Sequence, residues 1–195
     1  MSGAAPRLQK VTFDALDALD DDIRAEVIQG SLVEKAAPTM EHGRAQRSLG
    51  GMLGRRFDRD GGGRWPGGWW LATEVDVRYE THEIYRHDVV GWRRDRLPTC
   101  PGGRPIDERP DWACEILSPS NYKRDMLDKM GILRASGVPH YWIVNVVEQL
   151  LIVHRLEPSG YLVALTASAG QTVQAEPFDS VDLPVAVLFG AADDE

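Results

Sequence analysis

The chain has 195 residues, 43% of them hydrophobic, and a formal net charge of −8. That length and apolar share suit one domain around one core, and the acidic balance excludes a simple basic nucleic-acid binder. No apolar run reaches transmembrane length, and the opening MSGAAPRLQK has no signal-peptide core. Cys100 and Cys114 form neither a CxxC pair nor a disulfide framework. A cytoplasmic protein with reduced thiols and no membrane segment is expected.

In chain order, Thr12 is placed to cap a short acidic helix through about Asp21. Arg24–Ile28 and Ser31–Lys35 flank Gln29-Gly30 and read as a hairpin. Thr39 can cap a helix with Ala45, Leu49, Leu53 and Phe57 at helical spacing, ended by the linker Asp60-Gly-Gly-Gly63. Gly50, Gly51 and Gly54 inside it each cost about 1 kcal/mol relative to alanine, which close packing against a sheet would explain. Strands are expected at Trp69–Tyr79, Tyr85–Trp92 and Asp111–Leu117, with a Pro/Gly-rich loop from Leu97 to Pro110 before the last. A helix from Ser120 or Asn121 carries Met126, Met130 and Leu133 on one face and stops at Gly137 and Pro139. Strands Tyr141–Val147, Leu150–Leu156 and Tyr161–Ala167 complete a mixed sheet flanked by helices, an α/β fold. Residues 171–195 read as a C-terminal extension with an acidic tail.

Arginine dominates the interior of the chain, at Arg44, Arg47, Arg55, Arg56, Arg59 and Arg64 and again at Arg93, Arg94 and Arg96. Arginine suits phosphate contact better than lysine, although such clusters are often only solvated faces. His82 and His87 are five apart in a turn-and-strand segment, so they lack metalloprotease spacing, and structural zinc is not expected. Gly61-Gly-Gly63 lacks the lysine and hydroxyl residue of a phosphate-cradling loop. Trp65, Trp69 and Trp70, beside glycines, suggest an exposed apolar patch that a homodimer could cover.

The segment DWACEILSPS places Glu115 in a strand between apolar neighbours, where a carboxylate needs a cationic partner. The preceding strand carries a lone Asp88. Two adjacent strands that each supply one acid make a hard-oxygen site of the kind Mg²⁺ takes, and the Ile116 carbonyl could add a ligand. Asp125 and Lys129 are four apart on the next helix and can pair. An ordinary surface pair there, and an arginine partner for Glu115, explain the same spacing.

Arg109-Pro-Asp-Trp-Ala-Cys-Glu-Ile-Leu-Ser-Pro-Ser120, then Arg124-Asp125, Lys129 and Gly137-Val-Pro-His-Tyr-Trp-Ile-Val144, resemble the Uma-type restriction-endonuclease family of the PD-(D/E)XK nuclease superfamily. The hairpin Glu26-Val-Ile-Gln-Gly30 and His42-Gly43 match its N-terminal pattern, and the resemblance spans about residues 10–170. It implies a single-domain restriction-endonuclease-like fold and Mg²⁺-dependent hydrolysis of DNA, with Mn²⁺ as substitute. Asp88 and Glu115 match the motif acids. Leu117 stands where the superfamily has its lysine, and the resemblance assigns that role to Lys129, with Lys123 as the other candidate. His87 replaces the motif proline, Ser31 an acid of the hairpin, and Asn145 an aspartate after the Tyr-Trp strand. Glu26, Glu41 and His42 could reach the site, but no spacing forces them to converge. The expected activity is DNA cleavage by a homodimer. The alternative is a weakened nuclease fold that serves as a binding or scaffold protein.

Overall fold

The computed structural model describes residues 10–20, 22–117 and 124–192, with the backbone alone for 124–126. The chain runs α1 (Phe13–Asp17), β1 (Ala25–Ile28), β2 (Ser31–Glu34), α2 (Met40–Phe57), β3 (Trp69–Ala72), β4 (Asp76–Glu80), β5 (Glu83–Arg86), β6 (Val89–Arg93) and β7 (Trp112–Leu117). A π-helical turn, Arg124–Lys129, leads into α3 (Met130–Ala135). Then come β8 (His140–Asn145), β9 (Leu150–Glu157), β10 (Gly160–Ser168), β11 (Thr172–Val173), β12 (Leu183–Pro184) and a 3₁₀ turn, Val185–Phe189. The expected start of the third helix at Ser120 or Asn121 lies outside the described residues.

Six strands form the main sheet in the order β10-β9-β8-β7-β6-β3. Only β7 and β8 run parallel in it, joined by the α3 crossover. Four more strands, in the order β2-β1-β5-β4, form a second sheet. The β1–β2 hairpin turns through Gln29 (φ 54°) and Gly30 (φ 76°). Positive φ at both central residues of a two-residue turn suits the right-handed strand twist.

Two expected strands are each broken in two. Trp69–Tyr79 splits into β3 and β4, and Tyr85–Trp92 into β5 and β6. The halves belong to one long hairpin creased across its width. Ala72 pairs with Val90 in the main sheet, and Asp76 pairs with Arg86 in the second. The crease at 73–75 and 87–88 takes the chain from one sheet to the other. Glu74 there adopts φ 56°, a left-handed conformation uncommon for non-glycine residues.

Every residue of β7 is buried. Trp112, Cys114 and Ile116 face a core shared with Ala45, Leu49 and Leu53 of α2, while Ala113 and Leu117 face a second core with Leu133 of α3. The sheet is therefore flanked by helices on both faces. Residues 171–189 are no separate unit: Ala175, Phe178, Leu183, Val185 and Leu188 belong to the α2-side core. The Phe178 ring lies 4.7–5.6 Å from those of Phe57, Trp69, Trp112 and Trp142.

Three further expectations are corrected. The first helix ends at Asp17 rather than Asp21, and the Thr12 side chain makes no capping bond to its backbone. Trp69 is buried in the core, and Trp70 is half-buried with the Arg94 guanidinium 3.4 Å above its ring, so the exposed aromatic patch does not form. Close packing does not explain the glycines of α2. A Cβ at Gly51 or Gly54 would meet nothing within 4 Å, and one at Gly50 only a Thr73 methyl at 3.7 Å.

Candidate active site

The crease brings the charged side chains together. Val89 pairs with Cys114, so Asp88 falls opposite Glu115 on the same face of the sheet. Asp88 Oδ2 accepts the Ile116 N–H at 2.7 Å. In a strand the N–H and C=O of one residue point to the same edge, so the Ile116 carbonyl faces the Asp88 side too. Asp88 thus bonds to the β7 backbone one residue from Glu115.

The cationic partner of Glu115 is Lys129. Its ammonium lies 2.9 Å from Glu115 Oε1 and 2.8 Å from Glu26 Oε1, and all three side chains are about 1–2% exposed. Glu26 reaches the cluster from β1 and also accepts the Arg86 N–H at 2.8 Å. Lys35, just past β2, donates to Asp88 Oδ1 at 3.1 Å and to the Arg86 carbonyl at 2.6 Å. From α2, His42 Nε2 lies 3.5 Å from Asp88 Oδ1, and Gln46 donates to the Asp88 carbonyl and to Glu74. The Thr39 hydroxyl fixes this end of the helix by accepting the His42 N–H. His87 lies 2.7 Å from both Glu115 Oε1 and the Tyr79 hydroxyl.

The protonation states follow from this packing. Burial pushes Asp88 up, but the His42 bond, the Lys35 charge and the Ile116 N–H outweigh it and hold the carboxyl well below its usual range. Glu26 is likewise held down against burial by Lys129 and Lys35. Glu115 is different. Burial and the Asp88 and Glu26 charges push it up to about 7, and the two lysines offset this only in part. His87 is driven down to about 3 by burial and the lysines, so it is neutral. Glu26, Asp88 and Glu115 face the Lys35 and Lys129 ammonium groups and the His42 imidazole, and Glu115, raised first by burial, is the carboxylate least compensated by positive charge.

A divalent cation would supply that charge. Asp88, Glu115 and the Ile116 carbonyl are hard oxygen donors of the kind Mg²⁺ accepts, with water and a phosphate completing its shell. Among the described residues no three His, Cys, Asp or Glu side chains form a ready metal cage.

The family model described as "Uma2: Putative restriction endonuclease" matches residues 11–186. The chain belongs to the Uma2 family. A solved structure titled as a putative nuclease belonging to DUF820, from Anabaena variabilis, superposes on this Uma2 chain with a TM-score of 0.71. The two are 20% identical, and the match covers 92% of this chain and 97% of the other. At that identity it shows a shared fold. No curated protein matches the chain.

In the Uma2 chain the expected Asp88, Glu115, Ile116, Lys129, Glu26 and His42 all meet in one cluster. Glu41 is exposed on the first turn of α2 and lies outside it. Lys129 is buried and points inward to Glu26 and Glu115. The Asp125 side chain and all of Lys123 lie outside the described residues. Sequence reasoning missed Lys35, Glu74, Gln46 and the contact of His87 with Glu115. Lys35 closes a hairpin strand and reads as a surface lysine. Its one signal is position: it follows a strand that pairs beside Glu26.

Proposed function

We propose that this protein is a metal-dependent endonuclease that hydrolyses phosphodiester bonds in DNA. The reading is carried by the placement of Asp88 and Glu115 opposite each other, with Asp88 on the Ile116 N–H and Lys129 on Glu115, whose pKa burial raises to about 7. Asp88, Glu115 and the carbonyl would hold Mg²⁺, or Mn²⁺ in its place. Bound there, such an ion would supply a water of lowered pKa and polarise the phosphate. Lys129 holds Glu26 and Glu115 in position and stabilises charge that develops on the phosphate oxygens. Lys35 and His42 orient Asp88. In the net reaction the water oxygen bonds to phosphorus, one P–O ester bond breaks, and the leaving oxygen takes up a proton. A homodimer, also proposed, would bring one such site to each strand; sedimentation as a monomer at micromolar concentration would exclude it.

A second reading has one observation in its favour: Lys129 and Lys35 already neutralise carboxylates that a metal would use. On that reading the chain is a nuclease fold retained for binding. Supercoiled plasmid incubated with Mg²⁺ or Mn²⁺ separates the two. The nuclease reading expects nicked and linear product from the wild type, and none with EDTA or from Asp88→Ala. A wild type that leaves the plasmid intact with both ions, or an Asp88→Ala variant that cuts equally well, refutes it.

A further inference from the structure

The carboxylate cluster uses only one side of α2. His42 and Gln46 turn toward Asp88, and Ala45, Leu49 and Leu53 enter the core. On the other side, Arg44, Arg47, Gly51 and Arg55 follow one another at the three- and four-residue steps that keep to one helix face, with Ser48 beside them. Arg44, Arg47 and Arg55 are exposed. They line a groove of about 460 Å³ whose opposite wall is Val187 and Gly190 to Ala192. Arg44 secures that wall by donating to the Gly190 carbonyl at 3.2 Å. The bond uses one of its five N–H donors.

Gly51 lies on the floor of this groove. Glycine is among the poorest helix residues, and no neighbour requires it here, since a Cβ would meet nothing within 4 Å. Its missing side chain leaves the space between Arg47 and Arg55 open. At 1.5 Å per residue the stripe from Arg44 to Arg55 is about 16 Å long. That is roughly the rise of five nucleotides of one strand of B-DNA. Arginine is also the side chain best matched to phosphate oxygens. The stripe starts two residues from His42, at the end of α2 that meets the catalytic cluster.

We infer that this groove is the track on which the phosphate backbone of a DNA duplex docks beside the cleaved bond. The inference rests on the nuclease reading for its substrate, and it assigns the outer face of α2 a role that the cluster leaves unused. The acidic residues Asp193, Asp194 and Glu195 follow the groove wall in sequence and lie outside the described residues, so the test uses the full chain.

The experiment measures anisotropy of a fluorescein-labelled duplex of about 20 base pairs over a series of salt concentrations, in EDTA so that nothing is cut. Arg44→Ala with Arg47→Ala should weaken binding about tenfold or more. It should also make the slope of log affinity against log salt shallower by about 2, for two lost phosphate contacts. Gly51→Glu places a carboxylate among the arginines in open space. It should weaken binding while its melting temperature does not fall, which separates docking from folding. Variants that match the wild type in affinity and slope overturn the proposal. Plasmid cleavage by the same proteins keeps the two readings apart. Cutting that is indifferent to all three substitutions removes the track and leaves the nuclease. Duplex binding that depends on the arginines in a wild type that never cuts keeps the track and removes the nuclease.

Discussion

Replacing Lys129 by methionine tests the charge cluster most sharply. Methionine keeps much of the length and apolar packing of the lysine stem. It removes only the ammonium between Glu26 and Glu115, at 2.8 and 2.9 Å. Deleting one partner of a buried pair costs about 3–5 kcal/mol, whereas an exposed pair is worth about 0.3–0.5 kcal/mol. The pH dependence adds a second signature. In the wild type Lys129 helps to hold Glu26 below its ordinary value and limits Glu115 to about 7. Without it both folded-state pKa values rise, so the native variant binds protons over a range where the native wild type does not. Stability falls with pH wherever the folded state binds more protons than the unfolded one. The deficit of the variant therefore grows with pH, by about 1.4 kcal/mol per unit for each group, between the wild-type and variant pKa values. Urea denaturation should show a loss of about 3–5 kcal/mol near pH 8 and a clearly smaller one near pH 5. Adding Glu115→Gln to the variant should recover part of the loss. A loss below about 1 kcal/mol, equal at both pH values and unaffected by Glu115→Gln, would show that the lysine is solvated and the reasoning wrong.

Phe178→Ala should cost about 3–5 kcal/mol in denaturant melts, because the ring packs among four aromatic residues and ties residues 171–189 to the core. Gly51→Ala should raise stability by about 0.5–1 kcal/mol, since alanine favours the helix and its methyl group meets nothing. Lys35→Gln removes a cation 3.1 Å from Asp88 and should tighten Mn²⁺ binding by about tenfold or more in a calorimetric titration. Cleavage should fall on the acid side of an apparent pKa near 7, where Glu115 is protonated, and that midpoint should move to lower pH as the metal concentration rises.

Local signals carried much of this fold. Thr39 and the apolar spacing from Ala45 to Phe57 place α2, and Gln29-Gly30 places the hairpin, because capping and turn chemistry act within a few residues. Glu115 between apolar neighbours marked the site, since a buried carboxylate demands a partner. What could not be read depends on contacts distant in sequence. Tyr85–Trp92 is a continuous strand-forming run, and nothing within it records that Arg86 and Val89 pair in different sheets. The crease at His87 and Asp88 is a tertiary event. Spacing alone could place Lys129 on one helix face with Asp125, but it could not place the lysine beside Glu26, more than a hundred positions away, to which the crossover turns it. Lys35 was missed for the same reason: only the packing of two sheets brings a hairpin end against Asp88.

The central claim is that Asp88 and Glu115 together hold a divalent cation. Its most direct test is Mn²⁺ titration by calorimetry near pH 6.5, in two buffers of different ionisation enthalpy. A carboxyl with a pKa of about 7 is about three quarters protonated there, and a metal must displace that proton. The wild type should bind about one ion per chain and release about three quarters of a proton or more, with His42, whose pKa Asp88 raises, adding to the release. Asp88→Ala and Glu115→Gln should each abolish the binding. A wild type that takes up no Mn²⁺, or one that binds without releasing a proton and still binds after Asp88→Ala, would contradict the account.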